Sequence, residues 1–184
     1  PHNLTALNGG LLGKECLETP IKFIWSFASN TLINQHSDIN RTKNILSDEK
    51  KCEMIVVIDN MMTASARFAD ILLPAASSFE ESDLCYQSYG MELGALILRQ
   101  KAIEPLGECR TLFDICAQVA KRMGVAEAFT EGRSHDQWVE HIYHQCRKVK
   151  PELPEDYRDA VETGLFKWAR PGEPRVGLGK FRDD

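Results

Sequence analysis

The sequence predicts an α/β fold: a parallel sheet with flanking helices, followed by a C-terminal helical extension. Two apolar runs predict the sheet. Ile55, Val56, Val57 and Ile58 form an unbroken β-branched run that ends on Asp59. Ile71 to Leu73, closed by Pro74, follows after a Thr-Ala-Ser-Ala segment. Apolar runs without polar alternation fit strands covered on both faces, as in parallel sheets. Amphipathic spacing in the last third of the chain predicts the helical extension.

The bulk properties fit that class. With 184 residues, 43% hydrophobic and 27% charged, the chain can hold one sizeable domain or one with an appendage. A net charge of -5 gives no electrostatic footprint for nucleic acid. No run approaches the ~18 apolar residues of a membrane span, and no charged-then-apolar leader opens the chain. Because the chain starts Pro1-His2-Asn3 and closes without a terminator motif, a segment of a longer polypeptide is expected. The six cysteines (Cys16, Cys52, Cys85, Cys109, Cys116, Cys146) show no CxxC spacing, which argues against a zinc site or a compact disulfide framework. Most are expected to be small buried apolar groups.

Residues 1–19 carry Asn8-Gly9-Gly10 and Gly13, a loop composition. A phosphate-cradling glycine loop should follow a strand and open a helix, and this one precedes the first strand. Ile21 to Phe27 is that strand, rich in β-branched and aromatic residues. It runs into Ala28-Ser29-Asn30, where Asn30 either satisfies a turn or reads a polar ligand with an amide that both donates and accepts. Asp38 is placed to cap a helix through about Ser47. The strand Met54 to Ile58 follows.

Beyond Asp59, Thr63 is placed to cap a short helix over Ala64 to Ala69. Its hydroxyl, or the backbone N–H groups behind it, could alternatively meet an anion. Asp70 to Pro74 is the third strand, stopped where proline lacks a donor. Ala75 to Gly94 shows no period, and long loops of this kind are often functional. Its Glu80 and Glu81 are either paired carboxylates or, more simply, a solvated loop edge. Ala95 to Arg99 reads as a short strand or hairpin arm.

Thr111 to Met123 reads as an amphipathic helix with Leu112, Ile115, Cys116, Val119 and Met123 on one stripe and Gly124 as its stop. Ser134 opens another, with Trp138, Ile142 and Cys146 on one stripe. His141 and His144 lie at metal-pair spacing there without a third ligand in view. Pro151 to Pro154 breaks the chain before a last helix, Glu155 to Thr163, and the tail beyond Gly164 reads as loop. The partition is therefore 1–19 lead-in, 20–125 α/β segment, and 126–184 helical extension and tail. In open α/β sheets ligands bind outside the carboxyl ends of the strands. Residue chemistry thus points to a ligand site at Asn30 and Asp59, without specifying a reaction.

Three features together resemble one family. They are Ala28-Ser29-Asn30 after a strand, a strand ending Val57-Ile58-Asp59, and Thr63-Ala64-Ser65-Ala66 followed by Ala69-Asp70-Ile71-Leu72-Leu73-Pro74. The pattern resembles the molybdopterin oxidoreductases of the dimethyl sulfoxide reductase superfamily. FASNTLINQHSDINRTKNIL, TEGRSHDQWVEHIY and PELP extend the resemblance toward its anaerobic dimethyl sulfoxide reductase-type and selenate-reductase-like members, over nearly the whole chain.

The resemblance implies a Rossmann-like cofactor-binding domain that takes one arm of a bis(molybdopterin guanine dinucleotide) molybdenum cofactor. By position, Asn30 matches a cofactor-contacting asparagine and Asn34 a nearby polar contact. Ile58 and Asp59 match the pair that meets the nucleotide, Asp59 facing either guanine N–H donors or ribose hydroxyls. Ser29 and Thr63 complete the candidate set. Departures from the pattern are Thr31, where many relatives have proline, and Glu81, where some carry a basic residue. Near Thr111–Leu112 some relatives place an aspartate.

The metal ligand and the iron–sulfur cysteines of such proteins lie in other segments, so this one is expected to catalyse nothing alone. Expected partners are the rest of the parent catalytic subunit, an iron–sulfur electron-transfer subunit and a membrane anchor subunit. The resemblance implies anaerobic respiration at the periplasmic side of the bacterial inner membrane, with an S-oxide, N-oxide or selenate-type acceptor. The alternative is a non-catalytic α/β interaction domain without cofactor.

Overall fold

The computed structural model describes residues 21–35, 38–87 and 93–169. The N-terminal glycine loop, Cys16, His36, Ser37, Tyr89 and the chain beyond residue 169 lie outside the described residues. The chain divides into two compact units, one of residues 1–77 with 105–112, the other of residues 78–104 with 113–184. That division differs from the partition at residue 125. The helix after Thr111 packs with later helices, Phe113 stacking on Phe129 with ring centroids 5.6 Å apart.

In the first unit three strands, β1 (Phe23–Phe27), β2 (Met54–Asp59) and β3 (Ile71–Pro74), form a parallel sheet in that order. Between β1 and β2 come two helices, α1 (Thr31–Asn34) and α2 (Ile39–Leu46). Asp38 caps α2 as expected, its Oδ1 accepting the Arg41 N–H at 3.0 Å. Strand periodicity decides the packing. Ile55 and Val57 of β2 bury against Leu32 and Ile33 of α1, Ile45 and Leu46 of α2, and Ala66. The other face carries the cross-strand rows Trp25–Val56–Ile71 and Phe27–Ile58–Leu73. The central strand is therefore buried on both faces, which is why its sequence shows no alternation.

Between β2 and β3 a single 3-10 turn, Ala66–Phe68, stands where a short α-helix was expected. Asp70 pins that connection: its N–H donates to the Ile55 carbonyl at 2.9 Å and its Oδ2 accepts the Ile55 N–H at 2.7 Å. Residues 105–112 lie beside β3, with Arg110 N–H donating to the Pro74 carbonyl.

The second unit holds an antiparallel sheet of β4 (Asp83–Gln87), β5 (Leu93–Arg99) and β6 (Leu165–Ala169) in that order. Its helices are α3 (Leu112–Arg122), α4 (Ala126–Thr130), α5 (His135–Val149) and α6 (Tyr157–Thr163). Leu96 and Leu98 of β5 pack with Tyr143 of α5, Leu153 and Ala160 of α6. Ser134 caps α5 with a reciprocal box to Gln137. Gly124 ends α3 at φ 75°, as its place after the stripe suggested. No described helix is long and apolar enough to cross a membrane.

Several expectations are corrected here. The supposedly irregular Ala75–Gly94 stretch contains β4, and the tail beyond Gly164 contains β6. Each is a short strand that gains its partner only through β5, from elsewhere in the chain. The C-terminal extension is consequently helices packed on a sheet. Glu80 and Glu81 are not a solvated edge: Glu80 is 6% exposed, and Glu81 accepts from Arg99 at 2.9 Å, the same Arg99 nitrogen lying 3.4 Å from Asp83.

On α5 the buried stripe is Val139 and Tyr143, while Ile142 is half exposed. Tyr143 wins the interior because its hydroxyl reaches the Pro154 carbonyl at 2.7 Å. On α3, Ile115 and Ala120 are buried while Val119 and Met123 are exposed. Of the five described cysteines, all free, Cys52 alone is buried.

Candidate functional site

Parallel pairing brings the carboxyl ends of all three strands to one edge. Phe27 stands opposite Ile58, and Asp59 opposite Pro74. The Ala28 N–H continues the ladder one step past β1, donating to the Ile58 carbonyl at 2.9 Å. Ala28 then turns the chain at φ 44°, an uncommon conformation for a residue with a Cβ. This turn sets the positions of Ser29, Asn30 and Thr31 beside the tip of β2.

Asn30 occupies the N-cap position of α1 but does not cap it. Its Oδ1 instead accepts the Ser65 backbone N–H at 3.0 Å, across the sheet edge. Ser65 is fully buried, and its Oγ accepts the Ile33 N–H at 3.2 Å. These two bonds stitch the β1–α1 turn to the β2–β3 connection. Ser65 lay inside the Thr-Ala-Ser-Ala segment without being singled out. The available signal was a hydroxyl between two alanines, a residue small enough to bury and able to satisfy a helix N–H.

Asp59 makes a local turn of its own. Its Oδ1 accepts the N–H of Asn60 at 2.8 Å and of Met61 at 3.3 Å, while its carbonyl accepts the Ala75 N–H at 3.1 Å. Thr63 Oγ1 accepts the Ala66 N–H at 3.1 Å, although the N-cap position of the 3-10 turn is Ser65 and not Thr63. Ser29 and Thr31 share a hydroxyl hydrogen bond of 2.7 Å. Asn34 is exposed one helical turn beyond Asn30, whose carbonyl accepts the Asn34 N–H. Ile58 is fully buried and acts through its backbone, as the acceptor for Ala28.

After these commitments two half-buried groups keep polar atoms with no protein partner among the described residues. They are the Nδ2 amide of Asn30, a double donor, and the Oδ2 of Asp59, an acceptor. They stand at the tips of adjacent strands. Together they can hydrogen-bond a ligand that offers both an acceptor and a donor. The histidines of α5 serve other contacts. His141 meets Trp138 edge-on at 5.4 Å and His144 meets Tyr143 at 5.5 Å. Among the described residues no group of three or more His, Cys, Asp or Glu is placed to hold a metal ion.

Comparison with known proteins adds four findings. Residues 6–122 match the family described as molybdopterin oxidoreductase. The chain is 45% identical over 181 residues to the dimethyl sulfoxide reductase DmsA of Escherichia coli (strain K12), covering 98% of this chain and 22% of that protein. It is 34% identical over 155 residues to the trimethylamine-N-oxide reductase of Vibrio cholerae serotype O1, covering 82% of this chain and 18% of that protein. The chain thus spans about a fifth of the length of the curated relatives it matches. Among solved structures, acetylene hydratase from Pelobacter acetylenicus matches with a TM-score of 0.59 at 20% identity, over 88% of this chain and 20% of that one. This last likeness shows the fold alone.

Proposed function

The chain belongs to the molybdopterin oxidoreductase family, and on that premise we propose that it is part of the catalytic subunit of a molybdenum oxidoreductase. In this reading its first unit is a Rossmann-like segment that holds one arm of a bis(molybdopterin guanine dinucleotide) cofactor along the carboxyl edge of the sheet. The parent enzyme reduces an S-oxide, N-oxide or selenate-type acceptor. An iron–sulfur cluster sits elsewhere in the parent chain. The subunit works with an iron–sulfur electron-transfer subunit and a membrane anchor subunit, in anaerobic respiration at the periplasmic side of the bacterial inner membrane.

One observation carries the binding site: uncommitted donors on Asn30 and an uncommitted acceptor on Asp59, at the tips of neighbouring parallel strands. The chemistry of that set fits a nucleotide, whose base and sugar present donors and acceptors side by side. An ionised acceptor makes hydrogen bonds roughly twice as strong as a neutral one. Asp59 therefore supplies most of the polar grip, while Asn30 fixes the orientation of the bound group. Ser29, Asn34 and Thr63 line the same turns, and Ile58 holds Ala28 in register. When bound, the cofactor supplies the redox chemistry that side chains lack. This chain binds and orients it.

The test is Asp59→Ala and Asp59→Asn in the full-length subunit, with guanine nucleotide and molybdenum measured per protein. Losing a charge-assisted hydrogen bond in a partly buried site is expected to cost about tenfold or more in affinity. Both variants should then purify depleted of cofactor. Full cofactor loading in both would overturn the site.

A further inference from the structure

Two and three positions after Asp59 stand two of the most exposed large apolar side chains of the first unit, Met61 at 71% and Met62 at 64% exposure. Their backbone is not loose. The Met61 N–H donates to Asp59 Oδ1, the Met61 carbonyl accepts the Thr63 N–H at 2.9 Å, and Thr63 Oγ1 accepts the Ala66 N–H. A turn held by hydrogen bonds at both its ends thus presents two thioether side chains at the strand edge, next to the carboxylate with a spare oxygen. Methionine is unbranched and polarisable, and its sulfur makes favourable contacts with aromatic rings.

We propose that Met61 and Met62 form the apolar seat for the purine base of the cofactor's nucleotide arm. The inference rests on the cofactor-binding reading of Asp59 given above. Asp59 reads the polar rim of the base, and the methionines cover its face and remove it from water. This division assigns hydrogen-bond specificity and apolar contact to residues of one turn. Covering one face of the base with two apolar side chains is expected to change affinity by about tenfold.

The experiment titrates cofactor-depleted full-length subunit with GMP by calorimetry, comparing wild type, Met61→Ala/Met62→Ala, Met61→Leu/Met62→Leu and Asp59→Ala. The double alanine variant is expected to bind GMP about tenfold more weakly, and the double leucine variant within about twofold, since it keeps the apolar area. The unliganded melting temperature of both should match wild type. GMP affinity unchanged in the double alanine variant but lost in Asp59→Ala overturns the methionine seat and leaves the cofactor reading standing. Affinity unchanged in Asp59→Ala overturns both. A lower unliganded melting temperature with unchanged GMP affinity places the methionines against another part of the parent chain, and also overturns the seat.

Discussion

Asn30 and Ser65, thirty-five positions apart, are joined by a single hydrogen bond of 3.0 Å from the Ser65 N–H to the Asn30 Oδ1. One side-chain amide therefore has two ends with two duties. Its oxygen closes the β1 turn onto the β2–β3 connection, and its nitrogen keeps both donors for a ligand. The fold and the proposed site share this residue.

That division of labour can be separated by substitution. Asn30→Asp keeps an acceptor for Ser65 but removes both Nδ2 donors. It is expected to unfold within about 1 kcal/mol of wild type while losing cofactor retention, whereas Asn30→Ala should lose both. Denaturant titration alongside molybdenum content checks this. Equal retention in Asn30→Asp and wild type would remove Asn30 from the binding set.

Ser65→Ala should be purely a stability variant. Ser65 is fully sequestered, and its Oγ is the acceptor for the Ile33 N–H. Truncation leaves that buried donor unsatisfied, at a cost of about 1–3 kcal/mol. The midpoint of chemical denaturation should fall accordingly, and a shift within error would show that another acceptor replaces the hydroxyl.

Gly94 is expected to be intolerant of any side chain. A Cβ there would lie 1.9 Å from Nε1 of Trp168, whose ring covers the glycine on the neighbouring strand β6. Gly94→Ala must push the indole out of its place in the second core, where it also meets the Lys150 ammonium at 4.9 Å from the ring centre. Forcing side chains out of a packed site typically costs about 1–3 kcal/mol. Placed in a Trp168→Ala background, the same substitution should cost clearly less, and strict additivity would count against the contact.

Glu81 should give the second unit a pH-dependent stability. Burial raises its carboxyl pKa above the ordinary value, against the attraction of Arg99 and His135. Desolvation prevails although Arg99 lies within hydrogen-bonding distance, and the neighbouring charge of Asp83 adds to the rise. A carboxyl with a raised folded pKa contributes stability that is fully present below the ordinary glutamate value and is lost as pH rises through the folded one. Melting temperatures measured across that acidic window should show wild type declining relative to Glu81→Gln. A constant difference between the two would mean the group does not titrate abnormally.

Much of the first unit was legible in the residues, because its signals are local. The β-branched run of β2, the Asp38 cap and the proline stop after Leu73 each act within a few positions of themselves. The helix start at Ser134 and the stop at Gly124 were legible for the same reason. Short β4 and β6 were not, since neither has a strong pattern alone and each becomes a strand by pairing with β5.

Read alone, the residues specified the order of the three parallel strands, the helix capped by Asp38 between the first two, and the identity of the polar residues just past each strand. Tertiary structure decided which atoms of those residues are spent and which are left. The Ser65 N–H, brought in from the β2–β3 connection, spends the Asn30 oxygen, and the turn directly after Asp59 spends one of its carboxylate oxygens, leaving one amide nitrogen and one carboxylate oxygen without protein partners among the described residues. Hydrogen-bonding capacity belongs to a residue type, but what remains of it depends on neighbours that only folding supplies.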